Sequence, residues 1–315
     1  MGKGVEHQLK TNSVTKLSGH GRLPTPGKVS VTPTGGAAVT VATKYVILAT
    51  GSVPRGLPGL TVDGSRVLTS DEILEAKSVP KSLIVLGAGA VGVEFASIFH
   101  RFGSKVTLVE MLPRVVPLED EDISAELAKI LRKQGITVHT GVAAGDFQVT
   151  ATGVSLSLTP APDGAGRLQG DALLVAVGRR PLTDDIGAAG TKIQIDRGYI
   201  KVDGYMRTGE PGVYAIGDIV ATPLLAHVAS AEGILAAEHM AGREVQPLNY
   251  DQVPNATYCE PEIASCGLTE AKARERGYDV KVGRFPFSHN SKAPILGSTD
   301  GFLKIVSEAK YGEIL

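Results

Sequence analysis

The sequence has no tryptophan, only two cysteines and few aromatic residues, which make up 5% of its 315 residues. Two cysteines, Cys259 and Cys266, are too few for a disulfide framework or a cysteine-rich metal site, and they favour a reducing compartment. The net charge of −1 provides no electrostatic attraction to nucleic acid or anionic lipid. We therefore expect no nucleic-acid partner.

Long hydrophobic runs are also missing. The longest apolar stretch, residues 83–99, is interrupted by three glycines and by Glu94, so it predicts a strand, a turn and a helix instead of a membrane span. Residues 1–10 contain no apolar segment of the kind that a signal peptide needs, and we interpret them as the middle of a domain. We expect no membrane association.

Glycine, by contrast, is abundant, with 38 residues, and apolar runs alternate between strand-like and helical spacing. In residues 82–178 this alternation predicts an α/β fold with a parallel, doubly wound sheet. The elements predicted there are strands at 82–86, 105–109, 136–139 and 171–178, helices at 90–102 and 123–134, and a β-meander at 147–158. Elsewhere the pattern predicts strands at 29–32, 39–43, 45–48, 199–202, 213–216 and 301–306, a helix at 225–240, and a short helix capped by Ser70 or Asp71.

The most informative motif is the GxGxxG run of residues 87–92, which follows a predicted strand and opens a predicted helix, as a dinucleotide fingerprint requires. Gly87 permits the tight turn, Gly89 leaves room for a pyrophosphate to approach the backbone, and Gly92 lets the helix pack closely on the strand. The pyrophosphate is expected at the positive end of the helix that starts at Ala90.

An acidic residue is expected about 20 positions after such a motif, at the end of the second strand. Glu110 stands there. Its carboxylate can accept hydrogen bonds from both ribose hydroxyls and repels a 2′-phosphate, which favours NAD over NADP. The alternative is an ordinary βαβ turn with a surface glutamate.

Three further strand ends are candidates for cofactor contacts. Thr50-Gly-Ser52 and Gly178 each follow a hydrophobic strand, although either segment, taken alone, is more often a plain strand-end turn. Asp218 follows another strand and can bind a ribose or ribityl hydroxyl, or simply cap a short turn. The helix that begins near residues 223–227 can direct backbone N–H groups at an electron-rich ligand edge.

The two cysteines are seven residues apart in a β-like segment that contains Pro261, without the close spacing at a helix start that lowers the pKa of a redox thiol. We therefore interpret both as buried small hydrophobic residues. The seven histidines form no HxxxH or HExxH pattern, so no metal site is predicted.

Together these segments resemble the pyridine nucleotide–disulfide oxidoreductase family, and most of all its NAD-using members that oxidise dihydrolipoamide. The resemblance runs in order through residues 49–52, 87–94, 109–110, 177–181, 215–218, 224–227 and 259–270. It implies two Rossmann-like dinucleotide-binding domains and a partial α+β interface domain. The implied division is an incomplete FAD domain at 1–70 and 186–250, an inserted NAD domain at 71–185, and a truncated dimerisation domain at 251–315.

The resemblance also implies roles for particular residues and partners. FAD contacts would come from Gly21, Thr50, Gly51, Ser52, Asp218, Leu224, Leu225, Ala226 and His227. NAD contacts would come from Gly87, Ala88, Gly89, Ala90, Val91, Gly92, Val93, Glu94, Glu110, Val142 and Gly178. Electrons would pass from dihydrolipoamide, carried on the lipoyl domain of a 2-oxoacid dehydrogenase complex, through a disulfide and FAD to NAD+. The intact protein would be a homodimer in the bacterial cytoplasm or an organelle matrix.

Departures from the family pattern lie in the parts that perform thiol chemistry. The sequence has neither the family's first GxGxxG nor its Cys-x4-Cys redox pair, and it lacks the His-Pro-Thr stretch that carries the His–Glu dyad. The expectation is a fragment lacking both ends, with no catalytic residue of its own, weak or no affinity for FAD, and no turnover of dihydrolipoamide. Two alternatives stay open: a non-catalytic NAD-binding module, and another flavin reductase of the mercuric or coenzyme A disulfide type.

Overall fold

The computed structural model describes residues 2–162 and 166–315, which form a mixed α/β structure with two compact units. One unit contains the chain up to Val53 together with Arg180–Tyr250, and the other contains Pro54–Arg179 and Asp251–Leu315. None of the helices formed by the described residues is both long and apolar enough to cross a membrane.

The helices of the described residues differ widely in length. They are α1 (Gly2–Thr11), α2 (Ser70–Leu74), α3 (Ala90–Arg101), α4 (Glu121–Gln134), α5 (Ala226–Met240), α6 (Glu270–Glu275) and α7 (Lys292–Leu296).

The strands are mostly short. They are β1 (His20–Thr25), β2 (Lys28–Thr32), β3 (Val39–Ala42), β4 (Val46–Leu48), β5 (Ser52–Pro54), β6 (Val67–Leu68), β7 (Ser82–Leu86), β8 (Lys105–Glu110), β9 (Thr137–Thr140), β10 (Ala143–Thr150), β11 (Gly153–Thr159), β12 (Arg167–Gly170), β13 (Ala172–Val175), β14 (Arg179–Pro181), β15 (Ile195–Asp196), β16 (Tyr199–Ile200), β17 (Val213–Ala215), β18 (Asn255–Thr257), β19 (Ile263–Ser265), β20 (Val280–Pro286) and β21 (Phe302–Glu308).

A five-stranded parallel sheet organises the second unit, with the order β6-β13-β7-β8-β9. Strand β7 is central, and its Leu83 lies opposite Ala172 of β13 and Val106 of β8. The strands β7 and β13 are short, apolar and almost wholly buried, as expected for a parallel sheet that is covered on both faces. This sheet confirms the predicted α/β fold. The meander predicted at 147–158 corresponds to the end of β10 and to β11, and β12 extends this antiparallel sheet beyond the predicted residues.

The helices α3 and α4 follow from their sequence patterns, and α4 is also defined by its caps. Each presents apolar residues to the same core cluster, including Phe99 from α3 and Leu131 from α4. The Asp120 carboxylate accepts a hydrogen bond from the Asp122 amide at the start of α4, and Gly135 ends that helix in the left-handed conformation.

Strand β6 lies at the edge of this sheet and pairs with β13. Both of its residues, Val67 and Leu68, are buried. The sheet therefore starts before residue 71, the boundary that the family resemblance implied. The sequence did not predict β6, because a strand of two residues leaves no periodic pattern to detect.

The cap predicted for helix α2 was wrong. The N-cap is Thr69, whose side-chain oxygen accepts a hydrogen bond from the Asp71 amide. The Glu72 carboxylate reaches back to the Thr69 amide at 2.7 Å and completes a capping box. Ser70 and Asp71, the residues proposed from the sequence, already lie at the start of the helix and its first turn.

The first unit contains an antiparallel sheet of β1, β2 and β3 and a parallel pair of β4 with β17. Its core includes Leu23, Leu48 and Val213. Helix α5 contributes a buried face with Leu235 and Ala236. Helix α1, which the sequence did not predict, buries none of its described residues.

Residues 251–315 add two antiparallel pairs, β18 with β19 and β20 with β21, and they pack on α4 through an ion cluster. The ammonium group of Lys304, whose side chain is 6% exposed, contacts Asp120, Asp122 and Glu270 at 2.7 to 2.9 Å. The predicted strand at 301–306 corresponds to β21.

The capping box of α2 can be tested by substitution. We expect Thr69→Ala to lower the free energy of unfolding by about 1 kcal/mol, because the amides at the helix start lose their acceptor. Ser70→Ala is the matched control and should change it by less than about 0.5 kcal/mol. Urea unfolding measures both variants, and equal losses would contradict the assignment of the cap.

Candidate functional site

The turn between β7 and α3 accepts only glycine at two positions. Gly87 has a φ of +96°, and a Cβ there would lie 2.3 Å from the carbonyl oxygen of Ala176. A Cβ on Gly92 would lie 1.8 Å from the carbonyl oxygen of Gly87. Helix α3 therefore starts almost in contact with the end of the strand, as the fingerprint predicted.

The third glycine of the motif has a different environment. Gly89 is the N-cap of α3 in an extended conformation, and no side chain of the described residues caps the helix there. A Cβ on Gly89 would meet no described atom within 4 Å. Since Ala90 and Val91 are exposed, the positive end of α3 is accessible to an anionic ligand.

Glu110, the last residue of β8, points toward this turn. One of its carboxylate oxygens accepts a hydrogen bond from the Ala88 amide at 2.7 Å, and the other accepts one from the Leu112 amide at 2.8 Å. The residue is 9% exposed. A carboxylate has about four lone-pair sites, so the two amides leave capacity for the hydroxyls of a ribose.

The other predicted residues of this site surround the turn at different depths. The Val142 amide donates to the Glu110 carbonyl at 3.1 Å. Gly178 has a φ of +107°, and Val93 is fully buried in the core. The Glu94 carboxylate lies farther along α3 and accepts a hydrogen bond from the Tyr258 amide at 2.8 Å.

In the first unit, the structure brings Ser52 and Asp218 into direct contact. The Ser52 hydroxyl donates to the Asp218 carboxylate at 2.5 Å. Thr50 and Gly51 are held by Leu182, whose carbonyl accepts from the Thr50 hydroxyl at 2.5 Å and whose amide donates to the Gly51 carbonyl at 2.8 Å. Residues that are far apart in sequence thus form one polar cluster.

Helix α5 begins in the same unit, after the turn that carries Asp218. Its N-cap is Leu225, which provides no side-chain hydrogen bond to the helix. Leu224, Ala226 and His227 are exposed around this helix start. Gly21 lies on the exposed strand β1 opposite Val31, and a Cβ there would meet no described atom within 4 Å.

One functional candidate, Glu232, was missed by the sequence reasoning. Glu232 of α5 is fully buried, and its carboxylate accepts hydrogen bonds from the Gly217 amide at 2.7 Å and the Tyr250 hydroxyl at 2.9 Å. The available signal was an acidic residue within the apolar helix 225–240.

The cysteines required one correction. Both are free; Cys259 is buried as predicted, but Cys266 is exposed. Cys266 follows β19, a strand of which only Ile263 is buried, so its side chain lies outside the core. Burial raises the pKa of the Cys259 thiol to about 12, which makes it a poor nucleophile at neutral pH. Among residues 2–162 and 166–315, no three His, Cys, Asp or Glu side chains are arranged to hold a metal ion.

Comparisons with known families match nearly the whole chain. A family model described as pyridine nucleotide-disulphide oxidoreductase matches residues 1–233. A second model, the dimerisation domain of pyridine nucleotide-disulphide oxidoreductases, matches residues 253–315.

Curated relatives are about 40% identical to this chain in sequence. The chain is 42% identical to the dihydrolipoyl dehydrogenase of Chlorobaculum tepidum over 313 residues, which cover 99% of this chain and 67% of that protein. It is also 42% identical to the dihydrolipoyl dehydrogenase of Bacillus subtilis, with 99% of this chain and 68% of that protein covered. The chain thus spans about two thirds of the length of these relatives.

Solved structures share the fold. LpdA from Mycobacterium tuberculosis matches with a TM-score of 0.91 and 29% identity, covering 99% of this chain and 69% of that one. The HOCl-induced flavoprotein disulfide reductase RclA from Escherichia coli, as its Cu(II) complex, matches with a TM-score of 0.89 and 26% identity, covering 100% and 70%.

The two glycines of the motif should respond differently to alanine. We expect Gly89→Ala, at the N-cap of α3, to lower the unfolding free energy by no more than about 1 kcal/mol while NADH affinity falls, because the methyl group occupies the space in front of the helix. Gly92→Ala should destabilise the chain, since its Cβ cannot avoid the Gly87 carbonyl. Urea unfolding and NADH fluorescence titration separate the effects, and normal NADH affinity in Gly89→Ala would contradict this geometry.

Proposed function

Because the chain belongs to the pyridine nucleotide-disulphide oxidoreductase family, we propose that it is the nucleotide-binding part of a dihydrolipoyl dehydrogenase. That activity oxidises dihydrolipoamide to the cyclic disulfide, and the two electrons reduce NAD+ through an enzyme disulfide and FAD. The observation that carries the NAD assignment is the Glu110 carboxylate, which lies within 2.7 Å of an amide of the glycine turn.

Each part of the turn has a distinct task in this proposal. The amides around Gly89 and the open start of α3 bind the pyrophosphate, and Glu110 accepts hydrogen bonds from the adenosine ribose. The Ala88 amide holds the carboxylate in place before the nucleotide arrives, so little ordering is required on binding. The full set of proposed NAD contacts is Gly87, Ala88, Gly89, Ala90, Val91, Gly92, Val93, Glu94, Glu110, Val142 and Gly178.

The family uses FAD as well as NAD, and the polar cluster of the first unit fits a flavin nucleotide. Asp218 and Ser52 offer a carboxylate and a hydroxyl 2.5 Å apart, which suits the hydroxyls of a ribityl or ribose chain. The proposed FAD contacts are Gly21, Thr50, Gly51, Ser52, Asp218, Leu224, Leu225, Ala226 and His227. When bound, the flavin supplies two-electron transfer to the nicotinamide.

The domain assignment is likewise a proposal. We assign residues 1–70 and 186–250 to the FAD domain, residues 71–185 to the NAD domain and residues 251–315 to the dimerisation domain, with the exception that the edge strand β6 (Val67–Leu68) belongs to the sheet of the NAD domain. The match of the dimerisation model to residues 253–315 supports the last of these three domains. We further propose a homodimer that acts on the lipoyl domain of a 2-oxoacid dehydrogenase complex in the bacterial cytoplasm or an organelle matrix.

The alternative of a mercuric or coenzyme A disulfide reductase is less well supported. The dihydrolipoyl dehydrogenases of Chlorobaculum tepidum and Bacillus subtilis are each 42% identical to this chain over 99% of its length, which supports the dihydrolipoyl dehydrogenase assignment. The second alternative is a non-catalytic NAD-binding module. It differs from the enzyme in needing no redox dithiol, whereas oxidation of dihydrolipoamide requires one.

The preference for NADH tests the role of Glu110. We expect the wild type to bind NADH more tightly than NADPH, and we expect Glu110→Ala to weaken NADH binding about tenfold through the lost ribose contact. NADPH binding should fall less, because a carboxylate that repels the 2′-phosphate is also removed. Fluorescence titrations measure both ligands, with Glu126→Ala on α4 as the control. If the ratio of the NADH and NADPH dissociation constants in Glu110→Ala is the same as in the wild type, the assignment of Glu110 is wrong.

The thiol chemistry gives a second test. Of the two cysteines, Cys259 is buried with a pKa raised to about 12 by burial, and Cys266 is a single exposed thiol. We therefore expect these 315 residues, purified with added FAD, to show no lipoamide-dependent oxidation of NADH. Clear turnover that disappears in Cys266→Ser would mean that this thiol takes part and that the proposal is wrong on this point.

A further inference from the structure

We infer that Glu232 is a positioning residue that holds the Gly217–Asp218 turn in the conformation required for cofactor binding. The inference rests on the proposed FAD site, and it adds a residue that lies outside that set of contacts. The starting observation is that Glu232 is fully buried in the middle of α5, although glutamate is among the residues least often buried.

The carboxylate of Glu232 uses both of its oxygens. One accepts the Gly217 amide hydrogen at 2.7 Å, and the other accepts the Tyr250 hydroxyl hydrogen at 2.9 Å. Burial, and then the Glu232 carboxylate, raise the pKa of the Tyr250 hydroxyl, so Tyr250 stays protonated and remains a donor. A buried carboxylate is tolerated only when such partners satisfy it.

The Gly217 amide needs an acceptor because the chain leaves its strand at this point. The preceding amide, on Ile216, still donates to the Leu48 carbonyl of β4 at 3.0 Å. Gly217 then turns with a φ of +67° into the short 3₁₀ segment that carries Asp218. The hydrogen bond to Glu232 fixes the backbone directly before Asp218.

The turn also packs closely on α5. A Cβ on Gly217 would lie 3.3 Å from the Cβ of Ala229, and a Cβ on Gly233 would lie 3.4 Å from Ile216. Glu232 stands between these two contacts on the helix. A leucine could fill the same volume but could not accept a hydrogen bond from the Gly217 amide. The role of the Glu232 carboxylate is therefore to orient the backbone of this turn.

The position of the Asp218 carboxylate depends on the backbone orientation at Gly217. Its carboxylate lies 2.5 Å from the Ser52 hydroxyl, and it is the residue proposed to bind a ribityl or ribose hydroxyl. A shift of the Gly217 peptide would move this carboxylate away from Ser52. Glu232 therefore acts on the cofactor through Gly217 and Asp218, without touching the cofactor.

Three variants of the full chain test the inference. Glu232→Leu removes the acceptor and keeps the volume, whereas Glu232→Gln keeps one oxygen for the Gly217 amide. Leu235→Ala, on the same buried face of α5, is the matched control for general destabilisation. The readouts are exchange of the Gly217 amide, the dissociation constant of FAD from flavin fluorescence, and the dissociation constant of NADH, which binds the other unit.

Glu232→Leu is expected to speed Gly217 amide exchange and to raise the FAD dissociation constant about tenfold, the effect of one unsatisfied buried donor. Glu232→Gln should restore FAD binding to within about threefold of wild type, since one buried hydrogen bond is retained. Leu235→Ala should lower the melting temperature without a specific loss of FAD, and all three variants should keep NADH affinity.

Three results would overturn the inference. If Glu232→Leu binds FAD as tightly as the wild type, or if Leu235→Ala loses FAD equally, Glu232 has only a packing role and the proposed function stands. If Asp218→Ala binds FAD as tightly as the wild type, the proposed flavin role of Asp218 is wrong and the effect of Glu232 on the cofactor falls with it, whereas exchange of the Gly217 amide still reports the hydrogen bond to Glu232.

Discussion

The close approach of Gly92 to the carbonyl oxygen of Gly87 is the constraint on which the proposed nucleotide site depends. A single methyl group at either position would collide with backbone, so α3 can start immediately after β7 only with glycine there. This approach directs the uncapped start of α3 into open space and brings the Ala88 amide within reach of Glu110. The proposed pyrophosphate site and the proposed ribose acceptor therefore both depend on one packing contact.

In both compact units, a buried or nearly buried acid accepts a backbone amide hydrogen at the end of a parallel strand. Where the chain leaves a parallel strand, backbone amides lose their ladder partners and need other acceptors. Glu110 accepts the Ala88 amide in one unit, and Glu232 accepts the Gly217 amide in the other. In each case a carboxylate from a neighbouring element orients a glycine turn beside a proposed nucleotide, but only Glu110 is also placed to contact the ligand.

Sequence reasoning located most elements of the parallel sheet, because apolar runs and helical spacing are strong there. It failed where the signal was short or depended on neighbours. The two-residue strand β6, the Thr69 cap and the exposure of Cys266 are such cases. The Ser52–Asp218 contact joins residues 166 positions apart, and no local pattern predicts a hydrogen bond of that kind.

The sequence by itself determined the family resemblance, the α/β class and the position of the dinucleotide fingerprint with its acid, since these follow from residue types at local spacings. Only the tertiary structure decided that the Glu110 carboxylate turns to the Ala88 amide and that Glu232 lies beneath the Gly217 turn. The physical reason is that a side chain's partner is set by which elements pack together, and packing joins residues whose separation along the chain carries no periodic signal.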